Sequence, residues 1–353
     1  MELSLTNCCI KELPNDFGQL SSLESLLLGR NYFESIPTSI INLSKLYYLD
    51  LSFCERLKSL PKLPHELKGI DAHNCTSLKE VSNLPRLLCD LDCLDAYGWT
   101  ADKVSSSLST RFPKTVLGNV RVNFSNCYRM DQNVLEEVVA DAMLTHSKIQ
   151  RYSPHRSASI CFSGIEIPNW FNFQSEGSSV TQLEESARYG RNMCRFAVCA
   201  IVEFQNYHNE GQGLVVGYDY KFRSLRRNWT EVRHRGALKG WDYGTGPEFV
   251  DSHHVFLGFD FRPQLPENRP YPSALVTTIQ FYVEDLNAKR IGCCNVKKCG
   301  AYFIYDGERI PIKVTPPFDK KVDKEKGKEK EKEETHSKRL KISNSFKGES
   351  SSR

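Results

Sequence analysis

The sequence predicts a short α/β solenoid of four to five stacked repeats, then an all-β sandwich, then a disordered charged tail. Three observations carry this expectation. Leucine-bearing segments recur at a nearly constant step from Leu3 to Cys93. Short Val/Ile/Phe/Tyr runs separated by Gly, Pro and Asn fill most of 159–304. Lys320–Glu334 is almost pure Lys and Glu.

Leu3-Ser-Leu5, Leu26-Leu-Leu28 and Leu49-Asp-Leu51 are evenly spaced, and Ile70-Asp-Ala72 and Leu91-Asp-Cys93 follow at equal, slightly shorter steps. Leu13-Pro14, Ile36-Pro37 and Leu60-Pro61 keep nearly the same spacing. A period of this length marks units that bury their apolar faces only against one another. Leu23-x-x-Leu26-x-Leu28-x-x-Asn31 and Leu46-x-x-Leu49-x-Leu51-x-x-Cys54 fit the leucine-rich-repeat pattern, L-x-x-L-x-L-x-x-N/C. Alternation along each short strand sends the leucines inward and the intervening residues to a concave outer face. The Asn or Cys turns in to bond the backbone. Cys8, Cys54 and Cys75 share that slot, which favours a stacked ladder over a metal site.

Ser4, Thr6, Leu27, Gly29, Arg30, Asp50, Ser52, Asp71 and His73 fall on the concave face. The fold does not demand them, so they form the expected partner surface of this part, with Arg30, Asp50, Ser52, Asp71 and His73 as its polar groups. No polar cap precedes the first repeat, so the array is expected to continue in a longer parent.

The repeats are expected to span 1–99, a linker 100–130, a helix plus sandwich 131–310, and the tail 311–353. Val134, Leu135, Val138, Val139, Ala142, Met143 and Ile149 fall mainly at helical spacing after Asp131, which can cap. Strands are expected at Ser159–Phe162, Ser179–Leu183, Arg195–Glu203, Leu214–Arg223, His253–Phe259, Thr277–Glu284 and Ile291–Ile304, the last as one strand or two. Seven or eight strands with one clear helix suggest a sandwich of jelly-roll or immunoglobulin type. The nearly all-apolar run Phe196–Val202 suits a central strand buried on both faces.

Charge and cysteine usage exclude several classes. The net charge is +4, and Pro317–Arg353 alone holds 12 Lys/Arg against 8 Asp/Glu, so the remaining 35 of each sign cancel. A balanced body argues against a dedicated nucleic-acid binder. Thirteen cysteines contain no C-x-x-C pair, and no signal peptide or membrane-length apolar run occurs. Reduced thiols in a cytoplasmic protein fit best. The basic cluster Ser337-Lys-Arg-Leu-Lys-Ile342 would also suit nuclear import.

No catalytic, cofactor or metal residues are assigned. His253-His254 beside Asp251 invites a metal or triad, but neighbours on a strand point to opposite faces. Cys293, Cys294 and Cys299 match no common zinc spacing, and buried thiols acting as small apolar groups explain them better. Gly211-Gln-Gly213 and Gly240–Gly246 read as turns rather than phosphate loops. Arg223–Arg235, with Arg226 and Trp229 among its residues, suits an acidic protein face or nucleic acid, or simply a solvated edge. Trp241 and Tyr243, flanked by Gly240, Gly244 and Gly246, suit a binding hot spot on a loop.

Several motifs then resemble one arrangement. Ser52-Phe-Cys54-Glu-Arg-Leu57-Lys-Ser-Leu60-Pro61, Phe124-Ser-Asn-Cys127, Gly164-Ile-Glu-Ile-Pro168-Asn-Trp170-Phe171 and Gln174-Ser-Glu-Gly177 are similar to the last repeats and post-repeat domain of plant intracellular immune receptors of the TIR–nucleotide-binding–LRR class. Phe196-Ala-Val-Cys199-Ala, His254-Val-Phe-Leu-Gly258-Phe-Asp260 and Val296-Lys-Lys-Cys299-Gly300 resemble later signatures of that domain, the C-terminal jelly-roll/Ig-like domain or C-JID. The resemblance runs from Met1 to about Tyr305. It implies recognition of a pathogen effector or a guarded host protein, and contacts with a nucleotide-binding domain in a full-length parent. The family's NAD-cleaving and nucleotide-binding modules have no counterpart here, and no G-x-x-x-x-G-K-[ST] loop occurs. Protein binding without catalysis is expected. The alternatives are a carbohydrate-binding or carbohydrate-active jelly-roll protein and a nucleic-acid-binding module.

Overall fold

Evenly spaced leucines build the first sheet. The computed structural model describes residues 1–84, 120–131, 135, 139, 158–185, 193–224, 232–261 and 274–305. Six short strands lie in 1–84: β1 (Glu2–Ser4), β2 (Ser25–Leu27), β3 (Tyr48–Asp50), β4 (Ser59–Leu60), β5 (Gly69–Asp71) and β6 (Glu80–Val81). β1, β2, β3 and β5 pair in parallel and in register, aligning Leu3, Leu26, Leu49 and Ile70. β4 and β6 pair separately. Short 3-10 helices at Phe17–Gln19 and Thr38–Asn42 carry Phe17 and Ile40 into the same core as Leu23, Leu26, Leu46 and Leu49. Each such buried side chain contributes about 1.5–3 kcal/mol.

A polar ladder closes the turn after each strand. Asn31 donates to the carbonyls of Leu5 and Leu28, both at 2.8 Å, and its Oδ1 accepts from the amides of Cys8 and Ile10. The next rungs are Cys54 Sγ to Leu28 O at 3.3 Å, Cys75 Sγ to Leu51 O at 3.1 Å and Cys127 Sγ to Ala72 O at 3.1 Å. Burial pushes the Cys54 and Cys127 thiols up to about 12 and Cys75 well above the usual range, so each stays protonated and able to donate. One residue earlier the chain turns left-handed at Asn7, Arg30, Phe53, Asn74 and Asn126, with φ of 57–60°.

The rung at Cys127 corrects the expected linker. Leu91-Asp-Cys93 lies outside the described residues. The place beside β5 is taken by β7 (Val120–Phe124), with Val122 opposite Ile70. The ladder therefore passes directly from Cys75 to Cys127. Val120, Val122 and Phe124 enter the leucine core, while Arg121 and Asn123 face the other side.

From β7 the same sheet runs on. The remaining strands are β8 (Ala158–Ser163), β9 (Phe173–Glu176), β10 (Ser179–Glu185), β11 (Met193–Phe204), β12 (Tyr207–His208), β13 (Leu214–Ser224), β14 (Val232–Trp241), β15 (Phe249–Val250), β16 (His253–Phe261), β17 (Ala274–Glu284) and β18 (Cys294–Tyr305). β8 pairs with β7 in parallel and with β16 antiparallel, giving one ten-stranded sheet ordered β1-β2-β3-β5-β7-β8-β16-β11-β18-β9. β10-β17-β13-β14 form a second, antiparallel sheet, and β12 pairs with β15.

Period-two alternation divides two cores. Ile160, Phe162, Ala197, Cys199 and Leu257 continue the leucine core. Cys161, Phe196, Val198 and Phe256 face the second sheet and pack on Val216, Tyr218, Ile279 and Phe281. Phe196–Val202 lies in β11 between β16 and β18, and all seven residues are buried. β18 is one strand, with a register shift opposite Ile201/Val202. Of the helix expected over 131–150, Leu135 and Val139 are described; both are helical and buried in the leucine core.

Met1–Ile312 form one compact unit. Lys313–Arg353 lie outside the described residues.

Candidate functional site

The edge strand β14 passes beside β7 and β8, where the Lys239 amide donates to Ser159 Oγ at 3.1 Å. Its last residue, Trp241, is only 1% exposed and packs among Phe204, Tyr207 and Phe256. The chain then turns through Asp242–Gly246, pinned by the Asp242 amide on Thr245 Oγ1 at 3.0 Å. Gly246 has φ +90° and lies against the indole; a Cβ there would approach Trp241 Cγ to 2.3 Å. Only glycine meets both demands.

This strap, Asp242–Phe249, crosses onto the repeat strands. Asp242 pairs with Arg121 of β7. Glu248 pairs with Arg30 at 2.8 Å. The Phe249 carbonyl accepts from Asn126 Nδ2 at 2.9 Å. Beneath the strap the contacts continue inward. The Arg30 guanidinium stacks 4.0 Å from the Phe53 centroid, and Phe53 meets His73 edge-on at 4.9 Å. His73 Nδ1 lies 2.6 Å from Asp71 Oδ1, which also accepts from Asn123 Nδ2 at 3.1 Å. Burial pushes the Asp71 carboxyl up, but His73 and Arg121 outweigh it and hold the group below its ordinary value. Burial and the charge of Asp71 raise Asp50, against the Ser52 amide that donates to it at 2.9 Å.

The residues singled out from sequence divide accordingly. Arg30 and Tyr243 are exposed, and Asp50 and Ser52 half-buried. Asp71 and His73, at 2% and 4% exposure, do not face solvent: Asn123 of β7 bonds Asp71, and Phe53 packs on His73. Trp241 is likewise a core anchor rather than an exposed loop aromatic. Arg226 and Trp229 lie outside the described residues.

Two aromatics escaped the sequence reading. Tyr128 and Phe249 are 56% and 44% exposed and joined through Asn126, whose Oδ1 accepts from Tyr128 Oη at 2.8 Å. The signal was the repeat register. Tyr128 follows the Cys127 rung as the exposed Tyr32 follows the Asn31 rung.

Ten of the cysteines among the described residues are free thiols, and no group of three or more His, Cys, Asp or Glu among the described residues is placed to hold a metal. No helix among them is long and apolar enough to cross a membrane. His253 and His254 do diverge: His254 is fully buried and His253 half-exposed.

His254 couples the two parts. Its Nε2 accepts the Asn126 amide at 3.0 Å and lies 3.2 Å from Ser163 Oγ; Phe204 packs edge-on at 5.5 Å. Burial, aided by His253, lowers its pKa from 6.5 to about 4. Between those values the unfolded chain binds more protons than the folded one, so stability is intact above pH 6.5 and lost as pH falls. The expected loss from pH 7 to pH 5 is about 2 kcal/mol, read by urea unfolding. His254→Gln keeps an acceptor for Asn126 and should abolish most of that difference. An equal loss in the variant would assign the effect elsewhere.

Comparison with known proteins places this geometry. A C-JID domain family model matches residues 162–310. The chain is 30% identical over 328 residues to disease resistance protein RPP2B of Arabidopsis thaliana, covering 86% of this chain and 25% of that protein. It is 29% identical over 322 residues to the disease resistance-like protein DSC1 (86% and 24%) and 26% over 320 residues to disease resistance protein RPS4 (86% and 24%), both of Arabidopsis thaliana. The chain thus spans about a quarter of the length of the curated relatives it matches. It belongs with the plant TIR–nucleotide-binding–LRR disease resistance proteins, carrying their C-JID domain and corresponding to their C-terminal region.

Proposed function

We propose that this chain is the partner-recognition region of an intracellular plant immune receptor, working in the cytoplasm or nucleus without a catalytic step of its own. In this reading the stacked strands are a leucine-rich-repeat solenoid ending at Cys127, and the two packed sheets are the jelly-roll/Ig-like sandwich. The partner is a pathogen effector or a guarded host protein. In a full-length parent the same region also contacts the nucleotide-binding module.

The observation that carries the reading is the seam where the strap crosses the repeat turns. Exposed Tyr128, Phe249 and Arg30 are held there by Asn126, Glu248 and Phe53. Aromatics and arginine on a rigid support are the residue types that dominate interface energetics. Tyr243 extends the surface along the strap.

The test is surface plasmon resonance of the full chain against a panel of effectors and candidate host proteins. At least one should bind. Arg30→Ala, Tyr128→Ala and Phe249→Ala together should weaken that complex by roughly 100-fold, at about 1 kcal/mol or more for each anchor, with the thermal midpoint little changed. A complex that survives the triple substitution, or a panel with no binder at all, rejects the assignment.

A further inference from the structure

The outer face of the second sheet carries a cationic platform that the seam does not use. Register puts Arg233 and Arg235 of β14, Lys221 and Asp219 of β13, and Tyr282 and Glu284 of β17 on one side, opposite the buried Tyr218, Leu238 and Phe281. Gly217 permits the arrangement. Tyr282 lies flat across it, so that a Cβ at Gly217 would come within 2.2 Å of the ring. Arg290 stacks on Tyr282 with its guanidinium carbon 3.3 Å from the centroid. Arg235 approaches the same ring at 5.3 Å while bonding both oxygens of Glu284 at 2.7 Å. Tyr282 Oη donates to Asp219 at 3.0 Å.

Positive charge is concentrated on this face although the body as a whole is balanced. Glu284 satisfies Arg235, and Asp219 is engaged by Tyr282. Neither Lys221 nor Arg290 makes an ion pair among the described residues. A guanidinium resting its face on an aromatic ring keeps its N–H edge free, and that edge matches a carboxylate in a two-pronged bond.

We propose that this sheet face docks an acidic protein segment, with Arg290 and Lys221 as its carboxylate-binding groups. Three observations single out that occupant. Both faces of Tyr282 are taken, by Gly217 and Arg290, so no ring surface is open to stack a nucleobase; Asp219 and Glu284 also interrupt the positive track a phosphate backbone needs. A second copy would oppose cations with cations. The chain's own Lys320–Glu334 nearly cancels its charge, with 7 Lys against 6 Asp/Glu, and offers no acidic excess.

The proposal is independent of the seam and is tested separately. The full chain is titrated by fluorescence polarisation with a labelled peptide of alternating Glu and Ser, roughly twelve residues long, at low and high salt. Arg290→Glu with Lys221→Glu should weaken binding at least tenfold. Arg290→Gln alone, which keeps the size of the side chain without its charge, should weaken it several-fold. Lys45→Glu with Arg56→Glu makes the same net charge change on the repeats and should leave binding unaltered. Circular dichroism verifies folding of each variant. No peptide binding, an equal loss in the repeat control, or displacement of the peptide by a thymidine oligonucleotide of equal length at lower concentration overturns the proposal.

Discussion

Trp241→Ala is expected to lower the unfolding free energy by about 3–5 kcal/mol, the range for truncating a buried aromatic. The indole fills the space among Phe204, Tyr207 and Phe256 and is the wall against which Gly246 turns the strap. Its loss leaves a cavity and also frees the segment that carries Asp242 and Glu248 onto the repeats. Urea unfolding at pH 7 measures the effect. Tyr243→Ala, further along the strap and exposed, should stay within about 0.5 kcal/mol of the parent. Equal effects at the two positions would contradict the assignment of Trp241 as anchor.

Arg121→Ala should be nearly as costly, at roughly 3 kcal/mol. Its side chain and that of Asp242 are only 14% and 18% exposed, and Arg121 also offsets the buried charge of Asp71. Removing it leaves the enclosed Asp242 carboxylate without its cation and takes from Asp71 one of the two groups that offset its charge, the expensive way to break an enclosed pair. Asp242→Ala added to Arg121→Ala should cost less than the two single losses summed, because the second substitution removes a group the first has stranded. Strict additivity, or a single-variant cost below about 0.5 kcal/mol, would mean the pair behaves as an exposed one.

Much of this was legible in the sequence where periodicity is the signal. The even repeat step located β1, β2 and β3, and the shared slot of Cys54 and Cys75 identified the ladder rungs. The apolar run Phe196–Val202 announced the central strand. What was hidden depended on distant chain. β7 has its own alternation, but its rung at Cys127 follows Cys75 by more than two repeat lengths, past the reach of a period search. β14 has few apolar residues because Gly236 and Gly240 occupy inward positions where Tyr218 and Leu214 leave no room for a side chain. Asp71 and His73 look like surface residues until β7, far onward in the chain, brings Asn123 and Arg121 to Asp71. Trp241 reads as a loop aromatic because glycines surround it, yet one of them, Gly246, lets the chain wrap the indole. In each case local pattern located the element, and a long-range contact decided which face was open.

The repeat strands and the C-JID sheets are held to form a single mechanical body, joined by β7–β8 pairing, the Asn126–His254 bond and the Arg121–Asp242 pair. Native-state hydrogen exchange on Arg121→Ala tests this central claim most directly. Amides of Leu49–Leu51 in the repeats and of Val198–Ile201 in β11 should lose protection together and by the same free energy. Loss confined to one set, with the other keeping the parent's protection, would show two bodies that merely touch.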